Sequence, residues 1–224
     1  MKAKKLRIGL LTIGQSPRDD LVPEIKPLFL PHIEVIEYGL LDELSSEEIK
    51  FLEPDAEEMP LATRLKDGSQ AQLGEKKVIS LLHKAIDLMT KNMKVKAIGM
   101  LCTHEFSITK PFCPIVSPFH YLKFLINEIL EVRTLGVLVP LESQMEMAKK
   151  KWGREKVIVE AKSPYVKGKT WKEVSKIFMR AEVEAIILDC IGYKIDDRRK
   201  IQNLIPVPAL LPRAILAYAI NQLF

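Results

Sequence analysis

Three segments of the first half of the chain return, in the same order, in the second. "RIGLLTIGQSP" matches "TLGVLVPLESQ", "VKAIGMLCTHE" matches "VEAIILDCIGY", and "PIVSPFHYLKFLINEIL" matches "PVPALLPRAILAYAINQLF". Generic periodicity produces single matches of this kind; three in register imply a duplicated plan. Each half then reads as a strand and loop, intervening units, a strand ending in cysteine, a loop, a Pro-flanked strand and a helix.

Between these landmarks short apolar runs alternate with longer amphipathic segments, the pattern of a parallel sheet with crossover helices. The fold class is therefore α/β: two pseudo-symmetric lobes, each a parallel sheet flanked by helices. The spacing predicts strands over Leu6–Ile13, Ile33–Tyr38, Val95–Leu101, Ile115–Ser117, Thr134–Val139, Val157–Ala161, Ala185–Asp189 and Val207–Leu211. It predicts helices near Asp20–Leu28, Glu75–Asn92, Phe119–Glu131, Glu142–Trp152, Trp171–Val183, Asp196–Leu204 and Pro212–Leu223. The first lobe is expected over residues 1–117, with the last helix, 212–224, packing back on it; the second is expected over residues 118–211.

One segment breaks the alternation. "LATRLKDGSQAQL" sets Asp67-Gly68 between two runs of alternating apolar and polar residues, a hairpin signal. A hairpin over residues 61–73 has no place in a parallel sheet, so it is expected to protrude with few core contacts, as a flap or an interaction arm. Arg64 lies on it.

With 47% hydrophobic and 28% charged residues among 224, the chain has material for a large core. The basic start followed by "LRIGLLTI" imitates a leader, but the run carries Arg7, is short and leads into Gln-Ser-Pro-Arg without a small-residue cleavage site; it reads as a buried strand. No apolar stretch approaches the roughly 18 residues of a membrane span. The net charge of +5 is modest, and its densest patch, "KKKWGREK", reads as a solvated helix end, so neither nucleic acid nor membrane is an expected partner. An excess of positive charge suits a small anion. Three cysteines, an odd count, point to free thiols and a cytoplasmic location.

Ligands of open parallel sheets bind outside the carboxyl ends of the strands. Cys102 and Cys190 both stand at such ends. Were the two halves related by an approximate two-fold axis, the two thiols would approach one cleft from opposite sides. One thiolate and one thiol suit removal of a proton from carbon and its redelivery. The thiolate requires nearby donors or cations, and the turn after each cysteine offers backbone N–H groups that could also hold a carboxylate. Cys113, between Phe112 and Pro114, reads as structural. Cys102-x-His104 has no second pair at zinc-like spacing, and "GLLTIGQS" lacks the lysine and spacing of a phosphate loop, so neither metal nor nucleotide cofactor is expected.

"GLLTIGQSPRDD", followed by "TRLKDG" and "LDCIGY", resembles the AroM family over nearly the whole chain. AroM-like proteins in turn resemble the aspartate/glutamate racemase superfamily, which implies two α/β lobes and cofactor-independent cysteine chemistry. The resemblance implies Cys102 and Cys190 as the catalytic pair. By that resemblance Ser16, after the first strand, and Thr103 would contact the substrate. Read from the residues themselves, Arg18 suits a substrate carboxylate or a salt bridge to Asp19 or Asp20, His104 an acid, a ligand orienter or a plain loop histidine, and Gly192 and Tyr193 the lining of the cleft after Cys190. "CTHE" looks like that superfamily's Cys-Thr-His signature, although it stands here in the first half rather than the second. At Cys190 the followers are Ile191, Gly192 and Tyr193. The implied activity is an isomerase, racemase or lyase acting on a small carboxylate. The alternative is a non-catalytic anion-binding or regulatory protein that keeps the cleft. Thiol redox protection ranks last for want of a Cys-x-x-Cys motif. A homo-oligomer is compatible with all of these.

Overall fold

A computed structural model of the protein describes residues 5–56, 58, 60–108, 112–153 and 156–224. Lys2, Lys4, Arg154 and Glu155, which contribute to the basic segments noted above, lie outside the described residues. Among the described residues no helix is long and apolar enough to cross a membrane.

The chain divides into two compact units, residues Met1–Pro118 with Leu216–Phe224, and Phe119–Ile215. In the first unit β1 (Leu6–Thr12) is followed by a short α1 (Val22–Ile25), β2 (Ile33–Gly39), α2 (Ser46–Lys50), the hairpin strands β3 (Pro60–Arg64) and β4 (Gln70–Gly74), α3 (Glu75–Lys91), β5 (Ile98–Met100) and β6 (Ile115–Val116). The sheet order is β2-β1-β5-β6, all parallel. Its central strands read as continuous apolar runs because helices cover both faces; Ile8, Leu10 and Leu11 are fully buried.

α4 (Pro118–Phe124) continues through a π-helical turn, Leu125–Ile129, and leads to β7 (Thr134–Val139), α5 (Met145–Trp152), β8 (Lys156–Ala161), α6 (Trp171–Arg180), β9 (Ala185–Leu188), α7 (Ile195–Gln202), β10 (Ala209–Leu210) and α8 (Pro212–Asn221). The second sheet runs β10-β9-β7-β8, again parallel. Exchanging β7 for β1, β8 for β2, β9 for β5 and β10 for β6 converts one order into the other. The registers agree too: Gly9 pairs with Ile98 as Gly136 pairs with Ile186, and Ile98 pairs with Ile115 as Ile186 pairs with Ala209. The repeat seen in the sequence is thus a repeat of topology and register.

Each core draws on a Pro-initiated helix. Phe119, Leu122 and Ile126 join Leu135, Val137 and Ile187 in the second unit's core. Leu216 and Ile220 of α8, both fully buried, approach Gly99 of β5, where a Cβ would meet the Ile220 side chain at 2.7 Å. Asn221 then ties the first unit further, donating to the Leu28 carbonyl at 2.8 Å and accepting the Leu30 N–H at 3.2 Å.

The hairpin forms with Leu61 opposite Leu73 and its turn at Asp67-Gly68, where Gly68 has φ +86°. It is anchored more firmly than an arm with few core contacts: Leu61 and Leu73 are buried members of the first unit's core. The Gln15 N–H lies 3.4 Å from the Arg64 carbonyl, and the Lys66 N–H donates to Gln15 Oε1 at 2.9 Å, so the hairpin lies against the loop after β1. A groove of about 570 Å³ runs between the hairpin and α2, lined by Ser46, Lys50, Leu65, Gln70 and Gln72.

Candidate functional site

The ladder positions both cysteines alike. Leu101 N–H donates to the Leu11 carbonyl at 2.8 Å, and Asp189 N–H donates to the Leu138 carbonyl at 2.8 Å; the next residue in each case is the cysteine, just past the carboxyl end of its strand. The following turns agree as well. His104 N–H donates to Cys102 Sγ at 3.4 Å, and Gly192 N–H donates to Cys190 Sγ at 3.4 Å. A donor aimed at sulfur favours its ionised form. Cys102 is half-buried and Cys190 buried; Cys113 is a third free thiol, and burial pushes its pKa up.

Around Cys102, Thr103 is buried, and His104 sets its ring edge-on to Phe106 with centroids 4.8 Å apart. His104 Nε2 comes within 3.1 Å of the Glu75 carboxylate at the start of α3. Ser16 lies in the loop after β1, beyond which the Ser16–Pro17 peptide is cis. Its N–H and hydroxyl both donate to the Asp42 carboxylate, which also accepts the Gly39 N–H at 2.8 Å. Arg18 is buried and turned inward: Nε and Nη2 fork onto Asp20 at 2.8 and 2.9 Å, and Nη1 donates to Thr12 Oγ1 at 3.0 Å.

Around Cys190 the fit is closer still. The Tyr165 hydroxyl is 3.8 Å from Sγ, and a Cβ on Gly192 would stand 2.3 Å from that hydroxyl, so only glycine fits here without moving Tyr165. Tyr193 is fully buried and its hydroxyl donates to the Lys162 carbonyl. Burial, then the charges of Cys190 and Asp189, push its pKa well above the usual phenol value. The Asp189 carboxylate is held by its own partners, accepting from Lys151 Nζ at 2.7 and 2.8 Å and from Trp152 Nε1 at 2.7 Å.

In the first unit, then, Ser16, Cys102 and His104 are only partly covered, whereas Arg18 and Thr103 are buried; in the second, Cys190, Gly192 and Tyr193 are all buried. Sequence reasoning missed Asp42, Glu75, Tyr165 and Arg213. Arg213 carried a signal, being the one charged residue after Lys200. Among the described residues no group of three or more His, Cys, Asp or Glu side chains is arranged to hold a metal.

The AroM family model, described as "AroM protein", matches residues 8–224. The chain belongs to the AroM family. No curated protein sequence matches it significantly. Solved structures share the fold of this AroM chain at low identity. Glutamate racemase from Francisella tularensis subsp. tularensis SCHU S4, in complex with D-glutamate, is 16% identical with a TM-score of 0.60, covering 98% of this chain and 81% of that one. Allantoin racemase from Klebsiella pneumoniae is 12% identical with a TM-score of 0.58, over 98% and 87%. An arylmalonate decarboxylase is 15% identical with a TM-score of 0.59, over 97% and 92%. The AroM chain therefore has a racemase-like α/β fold with two lobes.

Proposed function

We propose that this AroM protein is a cofactor-independent isomerase, racemase or lyase acting on a small carboxylate, with Cys102 and Cys190 as its acid and base. The observation that carries this is the shared geometry of the two thiols: each stands at the same register of its own sheet and each receives the amide two residues on. The likeness to racemases and to a decarboxylase supports the same reading.

In the isomerase form, one cysteine as thiolate takes the proton from the carbon beside the substrate carboxylate. The bonding pair stays on carbon and spreads into the carboxylate, and the other cysteine supplies a proton from its thiol. In the lyase form, carbon dioxide leaves instead of a proton, the electron pair again stays on carbon, and a thiol protonates it. Neither form changes an oxidation state of the protein or calls for a cofactor. Substrate contacts fall to the partly covered Ser16 and His104, with the amide donors of the two turns; Arg18 and Tyr193 act by holding their loops. Two working thiols need a reducing compartment, so the reading carries a cytoplasmic location.

One observation favours the alternative, an anion-binding or regulatory protein: the turn after Cys190 has the buried Ile191 and Gly192 where the first unit has Thr103 and His104, so it offers no side-chain donor at either position. The two readings part in deuterium oxide. Small dicarboxylates and amino acids incubated with the protein should exchange the hydrogen beside the carboxylate, or lose carbon dioxide with deuterium taken up. Cys102→Ser and Cys190→Ser should each slow this by about 10²–10⁴-fold. A ligand that binds without exchange or decarboxylation would establish the alternative, and turnover that survives both substitutions would sink the thiol chemistry.

A further inference from the structure

Arg213 is the largest fully buried side chain among the described residues, and it opens a helix that is otherwise free of charge. Its Nε donates to the Ile191 carbonyl at 3.0 Å and its Nη2 to the Gly192 carbonyl at 2.8 Å. Those are the two central carbonyls of the turn that Tyr193 N–H closes onto the Cys190 carbonyl at 3.3 Å. The Ile191 carbonyl and the Gly192 N–H belong to one peptide group. Its oxygen end faces the guanidinium, and its hydrogen end faces Cys190 Sγ.

We propose that Arg213 is a positioning residue that makes Cys190, rather than Cys102, the resting thiolate, acting through the Ile191–Gly192 peptide. A cation on the carbonyl oxygen polarises the peptide and strengthens the donor at its other end, because hydrogen bonds in series reinforce one another where the dielectric is low. The fork also fixes the peptide plane, so the N–H cannot rotate away from the sulfur. In the repeat, the residue matching Arg213 in its Pro-initiated helix is Phe119, whose ring lies 5.5 Å from that of Trp152 in the second core. The two thiols therefore share a donor geometry, and behind that of Cys190 stands the Arg213 guanidinium.

Other groups face Cys190. The Tyr165 hydroxyl lies 3.8 Å from its sulfur, the buried Tyr193 hydroxyl is neutral near neutral pH, the Asp189 carboxylate is engaged by Lys151 and Trp152, and Asp197 acts on Tyr193 from α7. Burial of Cys190 opposes ionisation, so Arg213 has a deficit to overcome. The inference rests on the two-thiol reading for its meaning in a reaction, since it names Cys190 as the group that accepts a proton and Cys102 as the group that gives one.

The test needs no substrate. The full chain is alkylated with iodoacetamide across pH, and each cysteine is followed by mass spectrometry of its own peptide; the midpoint of the rate profile reports ionisation whatever the accessibility. Cys190 should titrate below the roughly 8.5 of a free thiol and below Cys102. Arg213→Met should raise the Cys190 midpoint by about one pH unit or more, a tenfold loss of thiolate near neutrality, and leave Cys102 unmoved. Arg213→Lys, which keeps a cation but not the fork, should restore part of the shift. A Cys190 midpoint unchanged in folded Arg213→Met overturns the proposal. Should that variant fail to fold, Cys102 proving the more acidic thiol in the unsubstituted protein overturns it equally. An acidic Cys190 together with no exchange in deuterium oxide would uphold this inference while defeating the catalytic reading.

Discussion

Arg18 shows how one residue type supports two readings until its neighbours are known. After "GQSP" a guanidinium at the mouth of a sheet suits a carboxylate ligand, and here the carboxylate is internal: Asp20, two residues on. Burial drives the Asp20 carboxyl toward its neutral form, but the hydrogen bonds and charge of Arg18, with the charge of Arg64, outweigh it and hold the pKa below the usual carboxylate value. A group whose folded value is depressed stabilises the fold fully above its unfolded value, about 3.9, and loses that contribution as pH falls through the folded value. Asp20→Asn should therefore lower the melting temperature at about pH 7, and the gap between variant and parent should close below about pH 4. A gap that stays constant into acid would mean that the charge of Asp20 does not hold the loop.

Among the elements, those with long periodic signals or special turn chemistry were legible and the short ones were not. The hairpin announced itself through Asp67-Gly68 between alternating runs, and its register puts Leu61 opposite Leu73. Its depth in the core was not legible, because alternation says which residues share a face and not what covers that face. Helix α2 was missed: five residues are too few for a 3.6-residue period, although its capping box, Ser45 with Glu48, stands in the sequence. Strand β10 is shorter than its apolar run because Pro206 and Pro208 have no N–H to donate to a ladder. The hairpin's anchoring leads to a sharp contrast between neighbours. Leu73→Ala should cost about 3 kcal/mol, with a cavity left in the first core, whereas exposed Gln72→Ala should stay within about 0.5 kcal/mol. Urea midpoints at constant slope would measure both, and equal small effects would mean that the hairpin is peripheral after all.

At the scale of the whole molecule, the repeat was readable because apolar periodicity and the cysteine-ended strands survive in both halves, and the family resemblance rested on the same residues. The partners of the thiols were not readable. Asp42, Glu75 and Arg213 reach their places from distant parts of the chain, and no local pattern ties them to Ser16, His104 or Cys190. The division of the chain has a further consequence. The second unit is continuous, whereas the first takes its final segment, from Leu216, after the second is complete. Leu216 and Ile220 fill space beside Gly99, and Asn221 engages Leu28 and Leu30, so the first unit lacks part of its core and two hydrogen bonds until the last residues join it. Leu216→Ala should remove about 2–5 kcal/mol, and the loss should not spread evenly. Native-state hydrogen exchange should show protection falling in β1 and β5 while β7 and β9 keep theirs, because opening follows cooperative units. Equal loss in all four strands would mean that the two units unfold as one, with α8 serving both cores alike.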